Sequence, residues 1–369
     1  MEGSVRIGIV GCGSVMRGPY MSNIERLQAR GLAEVVMACD IDAAKRDYVR
    51  ERFGLSRLSA DYRDVVSADD VDLVMVLTSM QVHGEITRAA LEAGKHVLVE
   101  KPMAPTLAEA QQILGLARKS PGLLVCAPHV VLSNTYQQMW RHIHNGDIGR
   151  PFSARALYGW AGPSWGRWFY QKGAGSMFDL GVYNITSLTG LLGPARRITA
   201  MAGTAIPERI VDGERTTVEV DDNVQLLLDF GNTTYGVVTT GFTLQRYRCP
   251  GIEIYGSDGT IQMLGEDWAP RGYELWRNSA GAWQVYENTD AGWTWTDGIR
   301  HMVECIRNGT KPIVQPEHAY HVLEIMIKAW ESGQDGQAKT IESTFTPPTF
   351  GETREKAAAH LVHDPGRRE

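Results

Sequence analysis

Short runs of Val, Ile and Leu punctuate the first third of the chain, at Val5–Val10, Glu34–Cys39, Asp72–Thr78, His96–Glu100 and Leu123–Ala127. None shows polar alternation, which is the pattern of strands covered on both faces. Helical patterns lie between them. Ala43–Phe53 stops at Gly54, His83–Ala93 stops at Gly94, and Thr106 with Glu109 forms a capping box for a helix running to about Lys119. Strand and helix in alternation predict a doubly wound parallel sheet with right-handed crossovers over residues 1–128.

Beyond Pro128 the texture changes. Ser133–Asn145 and Ser176–Leu192 read as helices, separated by a stretch at 158–170 crowded with aromatic residues. From Ile198 to about Trp283 the pattern is antiparallel. Val224–Phe230 and Thr234–Thr240 are joined by a turn at Gly231-Asn232, and further runs follow at Ile252–Tyr255 and Thr260–Met263. His318–Ser332 reads as a late helix. The expected division is a domain over 1–128, a second over 129–345, and a Pro- and charge-rich tail over 346–369 that packs loosely.

Composition narrows the classes of function. The length of 369 residues suits two domains, and 43% hydrophobic with 22% charged residues is ordinary for a globular protein. Lys and Arg number 37 against 43 Asp and Glu, a net charge of −6, so no bulk charge favours nucleic acid or an anionic membrane. No apolar run approaches the ~18 residues of a membrane helix. The run Ile7–Val10 leads into a Gly-rich turn rather than a signal-peptide cleavage site. The five cysteines are odd in number and lack CxxC or Cys/His spacing, so they are expected to be reduced thiols of a cytoplasmic protein with no bound metal.

The first run carries the first candidate chemistry. Ile7-Gly8-Ile9-Val10-Gly11-Cys12-Gly13-Ser14-Val15 is a strand entering a Gly-rich turn and then a helix. Gly11 suits the tight turn, Gly13 lets backbone approach a pyrophosphate, and Ser14 and Val15 open the helix whose N-terminus attracts that charge. Met16 stands where a third glycine completes the usual fingerprint. The second run ends at Asp40, where a carboxylate accepts hydrogen bonds from the adenosine ribose and repels a 2′-phosphate. NAD is therefore favoured, with NADP still possible. The stretch from Gly13 to Asp40 exceeds the usual ~20 residues and implies a long first helix or an extra loop near Ala29–Gly31. The plainer alternative is that Asp40 only caps the Ala43 helix.

A second candidate lies at the end of another strand. Glu100-Lys101-Pro102 sets opposite charges at a carboxyl end, where open parallel sheets bind ligands, and Pro102 fixes the chain direction after the lysine. With Gly11-x-Gly13, Thr78, His83 and the block Ala89-Ala90-Leu91-Glu92-Ala93-Gly94-Lys95-His96-Val97, this stretch resembles the glucose–fructose oxidoreductase / inositol dehydrogenase / rhizopine catabolism (Gfo/Idh/MocA) family. Gly173-Ala174-Gly175-Ser176-Met177-Phe178-Asp179-Leu180-Gly181-Val182-Tyr183 is similar to its second motif. The resemblance runs from about Val5 to about Gly336. It implies an N-terminal Rossmann domain, a C-terminal α/β domain with a large open, mainly antiparallel sheet, NAD(P), and substrates that are mostly sugars, polyols or related alcohols. It also implies Thr78, His83, Glu100 and Lys101 on the cofactor side. The family's triple glycine is Gly173-Ala174-Gly175 here, its frequent His is Tyr183, and an Asp often found three residues later is Thr186. The chain thus resembles the tyrosine branch, and Lys101, Asp179 and Tyr183 carry over.

Asp179, Tyr183 and Thr186 fall on one stripe of an otherwise apolar helix. Hydride transfer needs a group that takes and returns the substrate's hydroxyl proton. Tyr183 is the candidate acid/base, with Lys101 orienting the substrate oxygen and lowering the phenol's pKa, or with the two roles exchanged. Asp179 is the candidate for holding a neighbouring hydroxyl. Trp165, Tyr170, Arg167, His129 and Thr186 are further candidates for substrate contact.

The expected function is an NAD-dependent oxidoreductase acting on a secondary alcohol or ketone of a sugar, polyol or glycoside. A dihydrodiol-type dehydrogenase, an oxidation–elimination glycosidase that uses NAD transiently, and a non-catalytic NAD(P)-binding sensor stay open as alternatives. An exposed sheet face makes a homodimer or homotetramer the expected assembly.

Overall fold

The computed structural model describes residues 3–351. The N-terminal sheet comprises β1 (Val5–Val10), β2 (Ala33–Cys39), β3 (Leu58–Ser59), β4 (Leu73–Val76), β5 (His96–Val99) and β6 (Leu124–Cys126), in the order β3-β2-β1-β4-β5-β6 and parallel throughout. Its strands β1, β4, β5 and β6 are buried on both faces because helices cover each side. Those helices are α1 (Met21–Ala29), α2 (Ala43–Phe53), α3 (Tyr62–Val66), α4 (His83–Glu92) and α5 (Leu107–Ala117). Their ends follow local chemistry. Gly54 closes α2 in the left-handed region at φ 68°, and the Thr106 hydroxyl accepts from the Glu109 N–H at 3.3 Å to open α5.

After α6 (Asn134–His144) the chain builds a nine-stranded mixed sheet. Its strands are β7 (Pro151–Gly159), β8 (Arg197–Gly203), β11 (Asn223–Gly231), β12 (Thr234–Gly241), β13 (Ile252–Gly256), β14 (Gly259–Glu266), β15 (Ala269–Arg277), β16 (Ala282–Glu287) and β17 (Lys339–Thr340). The ribbon β9 (Glu208–Val211) and β10 (Glu214–Thr217) stands apart from it. Pairing is antiparallel except where β7 lies parallel to β12 at the centre of the sheet. Sequence pattern does not disclose β7, because its inward positions are the small Ala154 and Ala156.

The inner face is covered by α6, α7 (Val182–Leu192) and α9 (Pro316–Asp335). Among the described residues nothing covers the outer face, where Met201 is 80%, Leu227 46% and Val285 53% exposed. A further helix that the sequence pattern does not predict, α8 (Gly298–Asn308), returns to pack on α1, β1 and β5.

The tail differs from expectation over its described part. Phe350 is buried and meets Tyr136 and Trp140 edge-on at 6.0 and 5.5 Å. The remainder of the predicted tail, 352–369, lies outside the described residues. All five cysteines are free, and no described helix is long and apolar enough to cross a membrane.

Candidate active site

At the carboxyl end of β1, Gly11 has φ +99° and lies so close to the next loop that a Cβ would come within 2.5 Å of the Leu77 carbonyl carbon. Only glycine fits there. Gly13 has open space around its missing Cβ, and Ser14 beside it is exposed. The helical stretch begins as a π turn, Met16–Tyr20, and continues as α1. This long helix accounts for the wide spacing to Asp40.

Asp40 is tied into the loop: its carboxylate accepts from the Cys12 N–H at 2.8 Å and the Asp42 N–H at 2.9 Å. The cap of α2 is Asp42, which accepts from the Ala44 N–H at 2.9 Å. Capping is therefore not what holds Asp40 in place. Burial and the Asp40 charge push the Cys12 thiol up to about 12, which makes it inert. An uncovered glycine backbone at a helix start, with a carboxylate at the end of the adjacent strand, fits a dinucleotide.

Two strands along, β5 ends at Glu100-Lys101, followed by a cis peptide at Pro102. Glu100 is buried, accepts from the Tyr20 hydroxyl at 2.8 Å and the Lys101 N–H at 3.2 Å, and has its pKa raised by burial. His83 is enclosed, with ring nitrogens 2.8 Å from the Pro102 carbonyl and 3.1 Å from that of Thr78. It braces the loops after β4 and β5 against each other. Burial lowers its pKa.

Lys101 reaches across to the second unit. Its ammonium donates to the Asp179 carboxylate at 2.6 Å and the Asp179 carbonyl at 2.8 Å, and stands over the Tyr183 ring 5.3 Å from its centroid. Asp179 lies on a π turn, Met177–Gly181, that opens α7. Asp221 holds the start of this turn, accepting from the Ser176 hydroxyl at 2.6 Å and the Met177 N–H at 2.8 Å. Gly175, at φ +111°, leaves room for it, since a Cβ there would sit 2.6 Å from the Asp221 carboxylate.

Tyr183 is buried, and its phenol lies well above the ordinary tyrosine range because of burial first and then the charges of Glu100 and nearby groups. Lys101 faces the ring rather than the oxygen, so the expected lowering of this pKa is reversed. Thr186, one turn on, turns its hydroxyl back to the Val182 carbonyl at 2.7 Å.

The remaining substrate candidates have other partners. His129 is fully enclosed, donates from Nδ1 to the Trp295 carbonyl at 3.2 Å, and is pushed down to about 4 by burial. Tyr170 is buried and donates to the Pro163 carbonyl at 2.7 Å, beside Phe242. Arg167 pairs with Glu214 at the surface, and Trp165 packs at a tilt on Trp160.

Sequence reasoning missed two rings of the site, Tyr20 and Trp295. Trp295 lies edge-on to Tyr20 and to Tyr183, 6.4 Å from each. Tyr20 had a readable signal in its place at the end of the π turn that follows the glycine loop; Trp295, beyond the whole second sheet, had none. Among the described residues, no group of three or more His, Cys, Asp or Glu could hold a metal ion.

Both halves of the chain are similar to known proteins. Residues 5–127 match a family model described as the oxidoreductase family with an NAD-binding Rossmann fold, and residues 136–262 match the GFO/IDH/MocA C-terminal domain. Levoglucosan dehydrogenase of Pseudarthrobacter phenanthrenivorans is 30% identical over a stretch that spans 57% of this chain and 60% of that protein. The 1,5-anhydro-D-fructose reductase of Ensifer adhaerens is 26% identical over 92% of this chain and 99% of its own length. A solved levoglucosan dehydrogenase in complex with NADH and levoglucosan shares the fold with a TM-score of 0.82 at 21% identity, over 92% of this chain and 100% of that one.

Proposed function

The chain belongs to the Gfo/Idh/MocA oxidoreductase family, and from that premise we propose that it is an NAD-dependent dehydrogenase or reductase of a sugar, polyol or glycoside, exchanging a secondary alcohol with its ketone. The reading is carried by the Lys101–Asp179 pair, which joins the cofactor-side strand end to the opening of α7 with Tyr183 beneath it. Gly11, Gly13, Ser14 and Val15 would hold the pyrophosphate and Asp40 the ribose, while Thr78, His83 and Glu100 shape the nicotinamide side together with Lys101. When bound, NAD(P) supplies or accepts the hydride.

Lys101 carries the proton. In reduction its ammonium gives a proton to the carbonyl oxygen; in oxidation its amine takes the proton from the hydroxyl. Asp179 holds the lysine in place and accepts from a neighbouring substrate hydroxyl. Tyr183 serves as a protonated phenol and a hydrogen-bond donor. This assignment keeps the tyrosine in the site and places it in a different role from general base.

The bare outer face of the nine-stranded sheet takes a second copy of the chain, since apolar side chains so exposed are unusual on a monomer. Free, mostly buried thiols suit a reducing compartment such as the cytoplasm.

The test is an absorbance screen for reduced cofactor across polyols, aldoses and glycosides, with NAD and NADP in parallel. Wild type is expected to turn over at least one of them faster with NAD. Lys101→Met should lose about a hundredfold or more in kcat while still binding NADH. Full activity in Lys101→Met would remove the lysine from the reaction, and a marked NADP preference would show that Asp40 does not exclude the 2′-phosphate.

A further inference from the structure

Between β16 and α8 the chain leaves the second sheet and crosses back to the first, and this crossing is fastened along its length. Asp290 accepts from the Asn134 N–H at 2.6 Å and the Thr135 N–H at 3.0 Å. Asn23 on α1 donates to the hydroxyls of Thr294 at 2.7 Å and Thr296 at 2.8 Å, and Thr296 donates to the Pro19 carbonyl at 2.9 Å. The His129 ring holds the Trp295 carbonyl and fills the space left by Gly298, where a Cβ would lie 2.2 Å from it.

These contacts fix the backbone on both sides of Trp295. Trp295 lies edge-on to Tyr20, which bonds Glu100, and edge-on to Tyr183, which lies under Lys101. One ring therefore separates it from each of the strand-end residues Glu100 and Lys101. Yet it is only half-buried, unlike a purely packing indole such as Trp140 at 1% exposure. Its N–H makes no hydrogen bond among the described residues and is not one of the enclosed, unpartnered donors. A ring so positioned, partly exposed and with an unpaired donor beside Tyr20 and Tyr183, is preorganised for a ligand.

We propose that Trp295 is a substrate-specificity residue beside Tyr183, stacking on the apolar C–H face of a cyclic polyhydroxylated substrate, with His129 as the positioning residue that holds it there. The inference rests on the sugar-oxidoreductase reading and adds to it the selection of ring-shaped over linear substrates. A flat indole offers dispersion and a weakly negative face to axial C–H groups. A linear polyol presents no such continuous face.

The experiment compares wild type, Trp295→Phe and Trp295→Ala with NAD, using levoglucosan, glucose, methyl glucoside and inositol as cyclic substrates and glycerol and sorbitol as linear ones. In Trp295→Ala, KM for the best cyclic substrate should rise about tenfold or more, with KM for the linear ones and the Kd of NADH changing less than about threefold. Trp295→Phe should restore part of the loss and guards against a folding defect in the alanine variant. Cyclic and linear KM values rising together would mean a structural role and overturn the inference, as would a cyclic KM that stays within twofold. If wild type binds NADH but turns over none of the cyclic substrates, the sugar reading falls and takes this inference with it.

Discussion

Lys101 and Asp179 are each nearly buried, with side-chain exposures of 10% and 15%, so each charge depends on the other. That mutual need explains why a lysine at a strand end and an aspartate on a mostly apolar helix meet across 78 positions of sequence. Tyr183 shows the limit of reading residue types alone. Lysine beside tyrosine suggests a phenolate, but orientation decides. With the ammonium over the ring and Glu100 nearby, burial keeps the phenol protonated. Tyr183→Phe is therefore expected to lower kcat by no more than about tenfold, the loss of one hydrogen bond. The shape of the kcat–pH profile between about pH 6 and 9 should not change. A profile that loses a limb in this variant would make Tyr183 the proton carrier. His129 is a similar case: its type allowed a polar substrate contact, and its enclosure turns it into a brace for Trp295.

At the scale of elements, parallel strands and capped helices of the first sheet were legible because their signals are local. Gly54, Thr106 and the glycine loop act within a few residues of themselves. The central strand β7 was not, because small inward residues carry little hydrophobic signal and its parallel partner β12 lies some 80 residues away. The stretch Ser176–Leu192 was legible as a helix, but not its division into a π turn and α7. That division turns Asp179 toward Lys101, and it depends on Asp221 from another part of the chain. Phe350 belongs to the same class. Composition marks its segment as a loose tail, and the structure closes it over Tyr136 and Trp140. Phe350→Ala should cost about 3 kcal/mol of stability, the usual loss for emptying a buried aromatic site, measured by denaturant melts. A change below about 0.5 kcal/mol would show that the segment does not contribute to the core.

Taken whole, the molecule is two sheets sharing one seam, with one broad sheet face left open. Pairing of that face between two copies predicts that Leu227→Asp, a charge placed at a position 46% exposed and opposite Val237, lowers the solution mass to that of the monomer. Light scattering would register the change. A wild-type monomer, or an unchanged mass in the variant, would leave the face without this partner. By itself the chain's order of residues determined the alternation of strand and helix, the glycine turn, Asp40 at its strand end and the lysine at its own, since each is written in neighbouring residues through periodicity, capping and backbone freedom. Only the tertiary structure decided that Asp179 takes up Lys101, that Tyr183 stays a phenol, that His129 serves the chain rather than a ligand, and that Trp295 reaches the site at all. Those outcomes depend on burial and on distances between residues far apart in the chain, and no local pattern encodes either.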